Sequence, residues 1–263
     1  MTKERYALFF DIDGTLVSFQ THEIPASTIF ALTQAKANGH QVFIATGRPP
    51  AIITNLGAIE HLIDGYITTN GAHCYVGDET VCCYPIPDAD VKTVLQDALD
   101  NDYSCIVSSE HHFVVYNPHE DVERIFIHDL DVQNLDPHAP WKPALQEPIM
   151  QFSPFFAMSH EADLMARIPG CTSGRWHPEF TDITAREADK GQALHRMAQY
   201  LGLDLAHTIA FGDGGNDATM IREAGIGIAM GNAIPALKSD AKHVTASVDE
   251  NGVLLALRHF GIV

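Results

Sequence analysis

Residues 6–15 read Tyr-Ala-Leu-Phe-Phe-Asp-Ile-Asp-Gly-Thr, a short apolar run that stops abruptly at two carboxylates and a glycine. The length of the run and its flanks predict a strand buried on both faces of a parallel sheet, ended by a turn. Two similar runs follow, Gln41–Ala45 (QVFIA) and Gly65–Thr69 (GYITT). Between the first two, residues 25–38 read as a helix. Pro25 suits its first turn, and Gly39 stands just past its end. Strands alternating with helices imply βαβ units, hence an α/β protein built on a doubly wound, Rossmann-like parallel sheet.

Beyond this start the pattern changes and later returns. Residues 72–84 read as a hairpin turning at Gly77-Asp78. From 85 to 184 the chain is richer in Pro and His. It reads as a helix over 88–100, two short strands, a helix over 119–130, a Pro-rich connection and further strands, together an inserted α+β cap. Near Asp189 the alternation resumes: helix 190–201, strand 208–211, helix 216–224, strand 226–230 and a closing helix over 250–260. The expected organisation is therefore a core made of 1–84 and 185–263, with a cap at 85–184.

Composition narrows the possible partners. The 263 residues carry 16 Lys and Arg against 34 Asp and Glu, a net charge of −18. Nucleic acid and anionic membranes both demand a basic footprint, so neither is an expected partner. Five Cys with no C-x-x-C spacing suit a reduced, cytoplasmic chain. The charged start, running into a carboxylate after a few apolar residues, is expected to be neither a signal peptide nor an anchor. No stretch approaches the roughly 18 apolar residues of a spanning helix. His111-His112 lacks any metal-ligand spacing and reads as a solvated loop.

Four polar clusters fall at predicted strand or helix ends. They are Asp11-Ile12-Asp13-Gly14-Thr15, Thr46-Gly47-Arg48, Asp189-Lys190 and Gly212-Asp213-Gly214-Gly215-Asn216-Asp217. In an open α/β sheet the ligand crevice lies outside the carboxyl ends of the strands, so all four can converge there. Each has a plain structural reading: Asp-Gly is a common turn, Thr-Gly commonly ends strands, and a lysine opening a helix is usually solvated. Together they are harder to dismiss. Asp11, Asp13, Asp213 and Asp217 at one point would repel one another unless a cation sat among them, and an all-oxygen set suits a hard ion, Mg2+ foremost. Acidic groups, a metal and donors from Lys190, Arg48, Thr and Gly form a site for phosphate. The calcium-loop pattern D-x-[DN]-x-[DN]-G fails at both acidic clusters, at Thr15 and at Gly215. A loose G-x-G-x-x-G near Gly212 has no following ribose-binding acid, which leaves a dinucleotide enzyme resting on glycines alone.

These motifs resemble the haloacid dehalogenase-like superfamily of phosphotransferases, and its Cof-type branch with a type IIB cap in particular. Ile44-Ala45-Thr46-Gly47-Arg48, Thr69-Asn70-Gly71-Ala72 and the run from Gly225 to Asn232 are also similar to that branch. The likeness covers both core segments; in the cap it is one of size and position, apart from Gly174-Arg175-Trp176, which resembles a cap segment of members acting on hexose phosphates. It implies a Mg2+-dependent phosphatase of small phosphorylated metabolites. Asp11 would be the nucleophile and Asp13 the acid and base. Thr46, Gly47, the Ile12 amide, Arg48, Lys190 and Asn216 would hold phosphate. Asp11, the Asp13 carbonyl and Asp213 would ligate the metal, with Asp217 behind them. Arg175 and Trp176 would meet a sugar, Arg through paired hydrogen bonds and Trp by stacking. A phosphomutase of the same fold and a non-catalytic phosphate-binding regulator are the alternatives, and a monomer or weak homo-oligomer is expected.

Overall fold

The computed structural model describes residues 4–130, 132 and 134–263. Residues 1–3, at the head of the expected core, and Asp131 and Gln133, within the expected cap, lie outside the described residues. The chain divides into two compact units. One comprises the described residues up to Gly47, Thr54–Cys83 and Asp189–Val263; the other comprises Arg48–Ile53 and Tyr84–Ala188. The short segment 48–53, which composition places with the core, belongs to the second unit.

The first unit opens with β1 (Ala7–Phe10), α1 (Ala26–Ala37), β2 (Gln41–Ala45), β3 (Gly65–Thr68), β4 (His73–Val76) and β5 (Glu79–Cys83). The second unit carries α2 (Asp88–Asp100), β6 (Cys105–Ser109), β7 (Phe113–Tyr116) and α3 (Glu120–Val122). It continues with β8 (Ile149–Pro154), α4 (Met158–Arg167), β9 (Cys171–Gly174) and β10 (Asp182–Ala185). The first unit resumes with α5 (Lys190–Tyr200), β11 (Thr208–Gly212), α6 (Ala218–Glu223), β12 (Ile226–Ala229), α7 (Pro235–Asp240), β13 (His243–Val244) and α8 (Gly252–His259).

In the first unit eight strands run in the order β13-β12-β11-β1-β2-β3-β4-β5. The pairings from β13 through β3 are parallel, and β4 and β5 add an antiparallel edge. The sequence predicts a buried β1, and all four of its residues are fully covered. Alternate side chains serve opposite faces. Phe9 stacks on Phe43 at 5.0 Å on the face that α5 and α6 cover with Ala193, Leu194, Met197, Met220 and Ile221. Phe10 points the other way and stacks on Phe211 at 4.6 Å. Each such ring contributes roughly 1.5–3 kcal/mol by leaving water. β1 has β2 on one side and β11 on the other, so the strand order reverses between β1 and β11. That reversal opens a crevice at the carboxyl ends of these two strands.

The second unit is a five-stranded antiparallel sheet in the order β7-β6-β8-β10-β9. Cys105, Val107, Phe152 and Ile183 face a core shared with Val94 and Ala98 of α2 and Leu164 of α4. Ile106 and Val115 face the opposite side, with Val122, Ile125, Phe126, Phe155 and Phe180. Three details differ from the sequence expectations. Beyond α3, residues Glu123–Asp129 wind as a π-helix, closed by Leu130 N donating to Ile125 O at 2.8 Å. α4 lies where the sequence suggests only strands; its polar stretch exposes all but one side of a short helix, and Leu164 alone is fully buried. α7 and β13 also depart from expectation, both being too short to show a period. Among the described residues no helix is long and apolar enough to cross a membrane.

Candidate active site

Asp11 follows β1 directly, and its amide extends the ladder by donating to Phe211 O at 3.1 Å. The next residues must turn sharply. Leu16 N and Val17 N both donate to the Ile12 carbonyl, at 2.9 and 2.8 Å, and Gly14 adopts φ +79°. A side chain at Gly14 would be strained at that angle and would also fall 2.2 Å from Asp213 Oδ2. Glycine therefore lets the Asp11–Asp13 turn press against the loop that follows β11.

That loop is organised by Asp217, which is fully buried. Its Oδ2 accepts from Asp213 N at 3.0 Å and from Gly214 N at 2.9 Å, which curls the chain back over the end of β11. Its Oδ1 accepts from Lys190 Nζ at 2.6 Å. Lys190 opens α5 behind the N-cap Asp189, whose carboxylate accepts from Gln192 N at 2.9 Å. The same ammonium donates to Asp11 Oδ1 at 2.8 Å, and its side chain is wholly buried. One cation thus ties β1, α5 and the loop after β11 together.

The charges do not balance. Carboxylate oxygens of Asp11, Asp213 and Asp217 lie within 4.8 Å of one another, with Lys190 as the bridging cation. Burial opposes charge on Lys190, but Asp11 and Asp217 outweigh it and hold the ammonium well above its ordinary range. Burial, and then the charge of Asp217, push the Asp11 carboxyl well up; the same two causes push Asp213 up to about 7. Three close carboxylates, two of them with raised proton affinity (Asp11 and Asp213), are short of positive charge. An all-oxygen donor set of this kind fits a hard divalent cation. The Asp13 side chain is outside the carboxylate cluster, so only its backbone could join the ligand set.

A second group of residues gathers around Gly47. Thr46, buried at the end of β2, donates its amide to Ile67 O at 2.8 Å and accepts at its carbonyl from Asn70 N at 3.0 Å. A Cβ on Gly47 would lie 3.0 Å from Asn70 Oδ1 and 3.4 Å from Asn216 Nδ2. Asn216 Nδ2 itself donates to Asn70 Oδ1 at 3.0 Å. Thr46, Gly47 and Asn216 are thus brought together. Asn70 sits among them, although the sequence assigns it no role beyond belonging to a segment similar to the family.

Asn232 is a second residue to which the sequence assigns no role. Its Nδ2 donates to Gly14 O at 2.8 Å and to Asp213 Oδ2 at 3.3 Å, while its Oδ1 accepts from Val248 N at 3.0 Å. Thr15 Oγ1 adds a donor to Asp213 Oδ1 at 3.4 Å. A lone Asn in a Gly-Asn-Ala turn offers no pattern that distinguishes such a brace from an ordinary turn residue.

The remaining candidates lie in the second unit. Arg48 Nη1 donates to Ile52 O at 3.1 Å. Arg175 makes its hydrogen bonds within the unit. Its Nε donates to Glu161 Oε2 at 2.6 Å, and its terminal nitrogens reach the carbonyls of Phe156, His177 and Pro178. Glu161 on α4 supplies a charged partner in reach, so Arg175 braces the 174–178 turn. Trp176 keeps 60% of its surface exposed, with its indole N–H on Asp182 Oδ2 at 2.8 Å.

Comparison with known proteins identifies the family. A family profile described as haloacid dehalogenase-like hydrolase matches residues 8–257. The HAD subclass IIB sugar phosphatase BT4131 superposes with a TM-score of 0.89 at 45% identity, covering 98% of this chain and all of that one. The HAD phosphatase BT1666 from Bacteroides thetaiotaomicron superposes with a TM-score of 0.87 at 31% identity, covering 98% and 96% of the two chains. In sequence, "Putative phosphatase YkrA" of Bacillus subtilis strain 168 is 30% identical over 260 residues, 97% of this chain and 98% of the relative. The chain belongs to the haloacid dehalogenase-like hydrolases, in the Cof-type branch. Within that superfamily it is a phosphatase.

Proposed function

We propose that this chain is a Mg2+-dependent phosphatase of small phosphorylated sugars, hexose phosphates foremost, working through an aspartyl-phosphate on Asp11. The observation that carries this is the buried Lys190 ammonium held between Asp11 and Asp217, with Asp213 in the same cluster. The sugar preference is supported by the similarity to BT4131, itself a sugar phosphatase.

A carboxylate attacks a phosphate dianion poorly because both are negative. Lys190 lowers that repulsion beside Asp11, and its burial makes the effect strong. Asp11 attacks phosphorus in line with the leaving alcohol oxygen; the P–O bond to the sugar breaks and an acyl phosphate forms. Thr46, the amides of Ile12 and Gly47, and Asn216 hold the phosphoryl oxygens through the transfer. Asp13 gives its proton to the departing alkoxide, then takes one from the water that cleaves the acyl phosphate and regenerates Asp11. Such proton transfer is worth roughly 10²–10⁴-fold. When bound by Asp11, Asp213 and the Asp13 carbonyl, with Asp217 behind them, Mg2+ supplies Lewis-acid charge to the phosphoryl group. Trp176 offers an exposed ring face for stacking on a sugar, steadied by its bond to Asp182 and by the Arg175 brace.

The test is a panel of phosphorylated sugars, nucleotides and cofactors assayed for free phosphate with Mg2+, run beside Asp11→Asn. Hexose phosphates should lead the panel, and the variant should be inactive while still folded. Substantial turnover by Asp11→Asn would rule out the covalent route, and a full rate in excess chelator would remove the metal. An isomeric sugar phosphate without free phosphate would mark a mutase.

A further inference from the structure

We propose that Cys74 and Cys82 form a reversible intrachain disulfide by exchange with a low-molecular-weight disulfide, and that this bond slows the enzyme by loosening the turn at residues 69–71. Cys74 on β4 stands opposite Cys82 on β5, the edge strand of the sheet. Opposed Cα atoms in antiparallel strands are about 4.5–5.5 Å apart, within the ~4.4–6.8 Å that a disulfide spans. Both side chains pack on the same core cluster, so they share a face. The register slips next to this pair: Tyr75 faces Thr80, which leaves Val81 as the extra residue of a bulge. A bulge at a sheet edge re-aims its neighbouring side chains.

The two thiols are unequal. Cys74 is buried and Cys82 partly exposed, so an incoming disulfide meets Cys82 first. Cys82 is also the better nucleophile. Its hydrogen bond with Cys74, and then the Arg196 guanidinium, hold its thiol below the ordinary value against the opposing effect of burial. The same hydrogen bond and burial push Cys74 well up. The Cys82 thiolate attacks one sulfur of the reagent RSSR, that S–S bond breaks, and the first RS⁻ leaves and takes up a proton. The Cys74 sulfur, giving up its proton, then attacks Cys82 Sγ and releases the second thiol. Two protein thiols are oxidised, and one RSSR is reduced to two RSH.

The consequence lies in the proton that Cys74 loses. While Cys82 keeps its own proton, the single S–H of Cys74 is directed at Gly71 O, 3.8 Å away. Gly71 ends a turn in which Thr69, Asn70 and Gly71 all adopt positive φ, at 53°, 54° and 98°. A β-branched residue such as Thr69 is strained there, so the turn depends on the contacts that hold it. It carries Asn70, the acceptor for Asn216, and it packs at Gly71 on the backbone of Asp189, immediately before Lys190. Withdrawing a weak hydrogen bond of this kind should slow turnover about two- to fivefold.

The full chain, reduced and desalted, is equilibrated without oxygen over a range of oxidised-to-reduced glutathione ratios. It is then quenched with iodoacetamide and split between peptide mapping and initial rates on an aryl phosphate with Mg2+. The expected result is a peptide linking 74 to 82, a slowing of the size given, recovery with dithiothreitol, and a Cys82→Ser variant of normal basal rate that glutathione disulfide does not slow. Cys82→Ala reads the same way should the serine variant misfold. A link between Cys82 and Cys83, a persistent glutathione adduct, or no link at any ratio would overturn the disulfide, whatever the activity. A 74–82 link that leaves the rate unchanged would overturn the coupling to the turn.

Discussion

Replacing Asp217 with asparagine preserves its shape but leaves one acceptor where the structure uses two. In the native chain Oδ2 receives two backbone amides, at 3.0 and 2.9 Å, and Oδ1 receives the Lys190 ammonium at 2.6 Å. An asparagine has one oxygen and one NH2 group. With the oxygen toward the amides of Asp213 and Gly214, the NH2 opposes the ammonium, and a charge-assisted bond worth about 1.5–3 kcal/mol is lost. With the oxygen toward Lys190, the NH2 faces two partly buried N–H groups, each costing up to about 1–3 kcal/mol when unpaired. The first orientation is the cheaper. Adding the partial loss of a buried counter-charge, the loop after β11 should lose about 2–4 kcal/mol. Trp141 and Trp176 both lie in the second unit, so fluorescence would not report this change. Native-state amide exchange on peptides covering 189–200 and 208–217 does report it, and it should quicken by about 30- to 1000-fold. A change below about fivefold, under ~1 kcal/mol, would show that neither the amides nor Lys190 depends on this carboxylate.

Three other outcomes rest on particular contacts. Gly14→Ala places a methyl at φ +79° and 2.2 Å from Asp213 Oδ2; at least a tenfold loss of kcat, about 1.4 kcal/mol, is expected in initial-rate assays. Asn232→Ala removes the donor shared by Gly14 O and Asp213 Oδ2; the divalent ion concentration for half-maximal rate should rise about 10- to 100-fold, with a smaller change in rate at saturating ion. In the second unit, burial of Asp97 raises its pKa, but Tyr103, Arg167 and His160 outweigh burial and hold it below 3.8. Because the folded value is depressed, its contribution is complete above about 3.8 and is lost as pH falls through the folded value. Asp97→Asn should therefore flatten the acid limb of unfolding followed by Trp fluorescence, and an unchanged limb would count against the network.

The fold is legible in the sequence wherever a run is buried on both faces. β1, β2, β3 and β11 each match a predicted strand to within a residue or two, because a strand that is covered on both sides must be apolar throughout. α5 is legible from its amphipathic period and from Gly202 beyond its end. α4 is not, since a helix that fully buries only Leu164 leaves too little apolar periodicity to read. The π-helix at 123–129 reads as ordinary helix, because the two share their side-chain composition and differ only in hydrogen-bond step.

The candidate site is legible for a different reason. Asp11, Lys190, Asp213 and Asp217 are residues whose burial would be unfavourable without a shared purpose, so their types at strand and helix ends stand out against the surrounding apolar runs. Asn70 and Asn232 escape notice because an asparagine in a turn is already explained by backbone geometry; only the distances from Asn70 to Asn216 and from Asn232 to Asp213 give them a role. Arg175 follows a different logic. Its ability to make paired hydrogen bonds is real, but a fixed fork of donors is satisfied by whichever acceptors are nearest, and within its own unit these are Glu161 and three backbone carbonyls. Residue type therefore announces a site most reliably where burial would be penalised without one. Where a local partner can absorb the same chemistry, only the folded distances decide.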